Sequence, residues 1–170
     1  MQLIKPTIAL KQKALEYRQA HFDCTEQAIE GDNGFDEAKT FEEWLAHLEK
    51  VEAGKHEYLL PSSTYLAMID DKIVGVVDIR HELNDFLLKS GGHIGYSVHP
   101  NERCKGYATK ILCLALEKCD YLGIEKALVT CDKNNAGSQK TILNNGGVLE
   151  NGLVDENGNV TLRFWVDVVK

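Results

Sequence analysis

The sequence is poor in basic residues and has no long apolar run, and each shortage removes a class of function. There are 19 Lys and Arg against 26 Asp and Glu, a net charge of −7. A protein that holds nucleic acid by general electrostatics needs the opposite balance, so no nucleic-acid partner is expected. No stretch approaches the ~18 apolar residues of a membrane span, so no membrane partner is expected either. The opening MQLIKPTIALKQK has no apolar core followed by a small-residue cleavage site, unlike a secretory signal. The 5 cysteines (Cys24, Cys104, Cys113, Cys119, Cys131) are odd in number and lack C-x-x-C or zinc-type spacing. Reduced thiols in a cytoplasm are the expected state. The 6 histidines form no H-x-x-x-H pair. Asp32-Asn33-Gly34 and Asp155-Glu156-Asn157-Gly158 lack the ligand spacing of a calcium loop, and no metal is expected. Two familiar phosphate loops, G-x-x-x-x-G-K-[ST] and G-x-G-x-x-G after a strand, are also missing.

What is present suits one α/β domain spanning 1–170. Of the 170 residues, 44% are hydrophobic, enough for a core of its own. Leu3-Ile4 reads as a short strand, and 8–22 as a helix with Ile8, Leu15 and Phe22 a heptad apart. Residues 23–39 form a loop rich in acids, among them Asp23, Glu26, Glu30, Asp32, Asp36 and Glu37. Thr40-x-x-Glu43 has capping-box spacing, and Phe41, Trp44, Leu45, Leu48 and Val51 follow at helical period up to Gly54. Segments 64–70 and 73–79 predict an antiparallel hairpin turning at Asp71-Lys72. A strand over 93–98, a helix from Gly106 to Leu122 and a strand over 127–131 predict a βαβ crossover with parallel strands. The helix buries Ala108, Ile111, Leu112, Ala115, Leu116 and Cys119, with Gly123 placed to end it. A short helix over 135–145 and a terminal hairpin turning near Asn157-Gly158 complete the chain.

The richest segment is GGHIGYSVHPNERCKGYA, Gly91 to Ala108. A strand breaks at Pro100 and passes through a polar loop into a helix, with Arg103-x-x-Gly106-x-Ala108 at the junction. A helix N-terminus offers unpaired N–H groups and the positive end of its dipole, which together favour an anion. Gly106 permits close backbone approach, Ala108 leaves the first turn open, and Arg103 and Lys105 add charge. The loop therefore reads as a cradle for a phosphate or pyrophosphate.

In this placement R-x-x-G-x-A resembles the acyl-CoA loop of the GNAT N-acetyltransferase superfamily. RHELNDFLLKSGGHIGYSV, RCKGYATKILCLALEKCDYLGI and TCDKNNAGSQKTILNNGG are similar to a bacterial subgroup of it. The resemblance implies a GNAT-like fold: a mixed central sheet with a parallel, splayed βαβ cofactor unit and helices on both faces. It implies acetyl-CoA as co-substrate, with the pantetheine arm against main chain at Ser97 and Val98. The pyrophosphate would lie on the loop Arg103, Cys104, Lys105, Gly106, Tyr107, Ala108 and Thr109. Asn135 and Ser138 fall where the family often places polar cofactor contacts; helix capping explains the same residues equally well. The acceptor implied is a small-molecule or peptide amine, and the acidic loop 23–39, above all Asp32, Asp36 and Glu37, suits a cationic one. A homodimer is compatible with the reading.

The chain departs from the family in two places. Many members carry a tyrosine four residues after the serine, as general acid toward the departing thiolate; here that position is Ile142. A glutamate used near the start of the strand matching 93–98 is replaced by Gly92. His81, His93 and Glu82 are the candidates for a base, the histidines first because imidazole titrates near neutrality. Cys104 and Cys131 read either as nucleophiles of a ping-pong scheme or as ordinary small residues. The expected activity is acetyl transfer to a primary amine by direct attack in a ternary complex. The alternatives are a non-catalytic CoA-binding sensor and an unrelated nucleotide-binding domain.

Overall fold

A computed structural model describes residues 1–168. Its first sheet has the order β1-β2-β3-β4, formed by Gln2–Ile4, Ser62–Ile69, Lys72–Arg80 and Ile94–Val98. All three pairings are antiparallel. The β2–β3 turn falls at Asp70-Asp71, one residue before the expected Asp71-Lys72, with Asp70 left-handed at φ 51°. The second sheet, β5-β7-β6, contains Lys126–Asp132, Val160–Asp167 and Val148–Val154.

The helices are α1 (Lys11–Asp23), α2 (Phe41–Glu52), α3 (Asp85–Lys89), α4 (Tyr107–Tyr121) and α5 (Ala136–Asn144). They cover both faces of the first sheet. On one face Ile111, Leu112, Ala115 and Cys119 of α4 and Ile142 of α5 pack with Val77, Ile79, Val129 and Phe164. On the other, Ala14 and Tyr17 of α1 and Phe41, Trp44 and Leu48 of α2 pack with Leu66, Ile73 and Val76. At α2 the Thr40 hydroxyl accepts from the Glu43 amide, as the capping spacing predicts.

Of the heptad stripe expected on the first helix, only Leu15 packs against the core. Ile8 lies in a 3-10 turn ahead of α1 and is 58% exposed, and Phe22 is 36% exposed. The buried face is Ala14, Tyr17 and His21; the Tyr17 hydroxyl and His21 Nδ1 find partners inside the fold, whereas among the described residues His21 Nε2 has none. Residues 24–39 are equally unlike a solvated connection. Ile29 and Phe35 are buried, Phe35 stacks on Trp44 at 4.2 Å, and the Trp44 indole donates to the Asp32 carbonyl at 2.9 Å. Asp32 accepts from the amides of Gly34 and Asp36, and Asp36 from that of Ile29. Those carboxylates shape the loop.

The two sheets part between β4 and β5, which share no strand ladder. They are joined just ahead of β4, where the His93 amide donates to the Leu128 carbonyl at 2.7 Å. The Leu128 amide donates back to His93 Nδ1 at 2.9 Å. Beyond that link the strands diverge. This splay, with α4 beginning beside it, makes the site.

Candidate active site

Past Val98 the chain makes a 3-10 turn at Pro100–Glu102 and enters α4 through Cys104 and Gly106, both left-handed, at φ 61° and 80°. α4 begins at Gly106 with no side-chain cap, leaving its opening amides for a ligand or water. A Cβ built on Gly106 meets nothing within 4 Å, so the space over the loop is open. Glycine is required there for its positive φ, and the empty volume above it admits an anion.

That space belongs to a cleft of about 740 Å³. β4 contributes Tyr96, Ser97 and Val98; the loop contributes Arg103, Cys104 and Gly106; the first turn of α4 adds Tyr107, Ala108 and Thr109. Asn135 and Ser138 close the α5 side. The structure thus brings together ten of the expected cofactor residues. Lys105 stands apart: its ammonium lies 2.7 Å from Glu102 and it does not line the cleft. Lys105 and Lys72 together hold the Glu102 carboxyl down at about 2.

The candidate bases are elsewhere. His93 is 8% exposed, and its Nδ1 lone pair accepts the Leu128 amide, so Nε2 carries the ring proton. Burial and the nearby Arg80 guanidinium depress it to about 4. His93 cannot take a proton from an amine in this position; it fastens β4 to β5. His81 Nε2 lies 2.9 Å from the Ser63 hydroxyl, whose own proton goes to Glu52 at 2.5 Å. His81 therefore donates there, beside α2, outside the cleft. Its pKa is lowered by burial, against the pull of Glu52. Glu82 is exposed and also outside the cleft. Intrinsic imidazole acidity suggested these residues; their contacts assign them to the scaffold.

The wall opposite α5 does come from the acidic loop 23–39, but from residues other than Asp32, Asp36 and Glu37. It is made by Glu26, Ala28 and Glu30, from the loop after α1. Arg103 Nη1 lies 2.6 Å from Glu26 Oε1, and Arg103 Nε donates to the Val98 carbonyl at 3.3 Å. Glu26 Oε2 accepts from His21 Nδ1 at 2.7 Å. Arg103 first, then His21, lowers the Glu26 carboxyl against the opposing effect of burial. Asp32 and Asp36, singled out for the acceptor, are spent on loop amides. Behind β4, Ser97 Oγ is 2.9 Å from the Tyr17 hydroxyl.

On the α5 side the Asn135 side chain accepts from the Ser138 amide at 2.9 Å, capping the helix. Ser138 Oγ is 2.9 Å from the Tyr96 hydroxyl. Ile142, where many GNAT enzymes have tyrosine, is fully buried in the core. Burial raises the Tyr96 phenol, with Ser138 acting against it. Burial likewise raises the Cys131 thiol, which disfavours a nucleophilic thiolate.

Comparison with known proteins gives the same reading as this geometry. The sequence profile of the acetyltransferase (GNAT) domain matches residues 20–148. The chain belongs to the GNAT acetyltransferase family. Solved structures share its fold at low identity. RimJ from Mycobacterium smegmatis, in complex with CoA-disulfide, has TM-score 0.72 and 17% identity over 97% of this chain and 80% of its own. The microcin self-immunity acetyltransferase MccE, in complex with acetyl-CoA and AMP, has TM-score 0.67 and 17% identity over 98% and 91%. A chimeric spermidine N-acetyltransferase SpeG from Vibrio cholerae has TM-score 0.67 and 16% identity over 98% and 96%. No curated sequence matches the chain. Among the described residues, no helix is long and apolar enough to cross a membrane.

The site's donors fit acetyl-CoA, the family's co-substrate. Uncapped α4 amides, the open space over Gly106 and the Arg103 guanidinium suit phosphates, and the β4 edge suits a chain of amides.

Proposed function

We propose that this protein, acting as one transferase domain over 1–170, moves an acetyl group from acetyl-CoA to a primary amine by direct attack within a ternary complex. The observation that carries the proposal is the cleft between the unpaired β4 edge and the uncapped start of α4. The α4 amides and Arg103 hold the phosphates, and main chain at Ser97 and Val98 orients the pantetheine arm. An amide at the splay polarises the thioester carbonyl, where a preorganised donor is most effective.

The acceptor is a cationic amine. Glu26 and Glu30 face the cleft, and among the described residues Glu30 has no ion-pair partner. A bound ammonium must lose a proton before it attacks. Glu30, directly or through a water, is the group placed to take it. The departing thiolate leaves toward α5, where the Ser138 and Tyr96 hydroxyls form a pair. The two hydroxyls share a 2.9 Å hydrogen bond, and in this reading Tyr96 is the donor, which leaves the Ser138 proton for the sulfur. Similar folds in SpeG, a spermidine acetyltransferase, and in a Salmonella typhimurium enzyme that modifies the N-terminal serine of a ribosomal protein support an amine acceptor.

The test is thiol release from acetyl-CoA across a panel containing spermidine, neutral amines and a peptide with a free N-terminus. Release with a cationic amine, weakened by salt, is the expected result. Tight acetyl-CoA binding with no release for any amine would favour a non-catalytic CoA-binding module. A thermal shift with ATP and none with acetyl-CoA would point to a nucleotide-binding domain instead.

Arg103→Ala is expected to weaken acetyl-CoA binding by ~1.5–3 kcal/mol, the scale of a charge-assisted hydrogen bond. Calorimetric titration measures it, and unchanged affinity would remove Arg103 from the site. Tyr96→Phe is expected to lower kcat by about tenfold, below the usual range for a full general acid because Tyr96 acts through Ser138. Its acetyl-CoA affinity should stay at the parent value; equal losses in both would mark Tyr96 as structural.

A further inference from the structure

The Glu26–Arg103 pair crosses the cleft between its two walls. Arg103 belongs to the loop before α4, and Glu26 to the loop after α1. Two of the guanidinium's nitrogens are engaged: Nη1 on Glu26 at 2.6 Å and Nε on the Val98 carbonyl at 3.3 Å. The Val98 carbonyl lies on the β4 edge that the cofactor arm needs, so both contacts occupy positions the co-substrate would use. Glu26 is itself held in place, because its second oxygen accepts from His21, a residue with no exposed surface.

We propose that Glu26 is an intramolecular competitor of the acetyl-CoA phosphates for Arg103, a latch that spans the cleft until the co-substrate takes the guanidinium. The inference rests on the acetyl-CoA reading above and adds a cost to co-substrate binding. A phosphate must displace the carboxylate, and it must do so facing that carboxylate's negative charge. Opening the latch also frees Glu26 beside Glu30, on the wall where a cationic acceptor is held. Acetyl-CoA therefore binds first, and the acceptor's full negative wall exists only afterwards.

A thermodynamic cycle on acetyl-CoA affinity tests this. Glu26→Gln keeps a carbonyl for the His21 N–H and removes the charge that holds Arg103. It should tighten acetyl-CoA binding by roughly twofold to fivefold, the range of a partly exposed ion pair. Glu30→Gln removes a charge from the same wall without touching Arg103, and so reports the general electrostatic gain alone. The latch requires a larger gain for Glu26→Gln than for Glu30→Gln. It also requires that excess to vanish when both are made in an Arg103→Gln background. Weaker binding in Glu26→Gln would show that Glu26 positions Arg103 for the phosphates, and would overturn the latch. Equal gains from the two glutamates, or an excess surviving without Arg103, would overturn it too. If parent and Glu30→Gln both fail to bind acetyl-CoA, it is the functional reading that fails.

Discussion

Gly31→Val is expected to unseat the loop that carries Glu26 and Glu30, the proposed acceptor wall, with a loss of about 2–5 kcal/mol of stability. Two effects add. Gly31 has φ +75°, where a β-branched residue is strongly disfavoured. A Cβ there would also lie 2.1 Å from the Gly95 carbonyl oxygen and 2.7 Å from the Tyr96 amide nitrogen. Both neighbours are β4 backbone, which cannot swing aside as a side chain would. The loop must lift, taking with it the Trp44 contact to the Asp32 carbonyl and the Asn33 amide from Ser62 and Thr64. Gly34→Val is the matched control: its φ is +83°, and its Cβ meets only His47 Nε2 at 4.0 Å. It should show the backbone cost alone, about 1–2 kcal/mol. Chemical denaturation of both variants measures the difference. Equal losses would mean that the Gly31–Gly95 contact contributes nothing. Where Gly31→Val still folds, the acceptor KM should rise far more than the acetyl-CoA Kd, because the displaced wall carries Glu26 and Glu30.

The strand, loop and helix proposed to hold the co-substrate were legible in the sequence as elements because they are local. Strand, loop and helix follow one another from Ile94 to Tyr121, and each announces itself within a few residues. Ile111, Leu112, Ala115 and Cys119 set the buried face of α4, Pro100 breaks the strand, and Gly106 marks the turn. The opposite wall was legible only as an acidic loop; its shape also depends on packing against Trp44, Ser62, Thr64 and the β4 backbone, which lie farther along the chain. Tyr17 and His21 look misplaced on a buried helix face until Ser97 reaches the Tyr17 hydroxyl from across the fold and Glu26, in the loop just after the helix, takes His21 Nδ1. The acids Asp32, Asp36 and Glu37 suggested a wall for a cationic acceptor, yet Asp32 is 4% exposed and works as a loop brace, and Glu26 and Glu30 line the cleft instead. Gly31 carries no local signal for its role, which depends on the backbone of Gly95. The histidines misled for the same reason. Intrinsic acidity is a property of the residue, whereas a base must also have a free lone pair facing substrate.

His93 turns that distinction into a measurable pH dependence. Burial, and then Arg80, holds its folded-state pKa at about 4, against an ordinary value of 6.5. Above pH 6.5 both folded and unfolded chains carry the neutral ring, and its contribution is complete. Between 6.5 and 4 the unfolded chain binds a proton that the folded chain does not, so stability falls as the solution is acidified. The full loss is about 3 kcal/mol, spread over that interval. His21, His47, His81 and His99 are also lowered, chiefly by burial, and steepen the trend. Asp32, raised to about 7 by burial and by Asp36, works in the opposite direction over part of the range. The contribution of His93 is therefore isolated by difference, with His93→Asn. An asparagine oxygen can accept the Leu128 amide but does not titrate. At pH 7.5 this variant should be less stable than the parent, by about 1–2 kcal/mol for lost packing. As pH falls toward 4 the two stability curves should converge and then cross, because only the parent pays for the unfolded-state proton. Parallel curves would mean that His93 is not the buried neutral link between β4 and β5. Acetyl transfer by His93→Asn at neutral pH should persist wherever the variant is folded, since the ring that was removed held two strands together and took no proton from the amine.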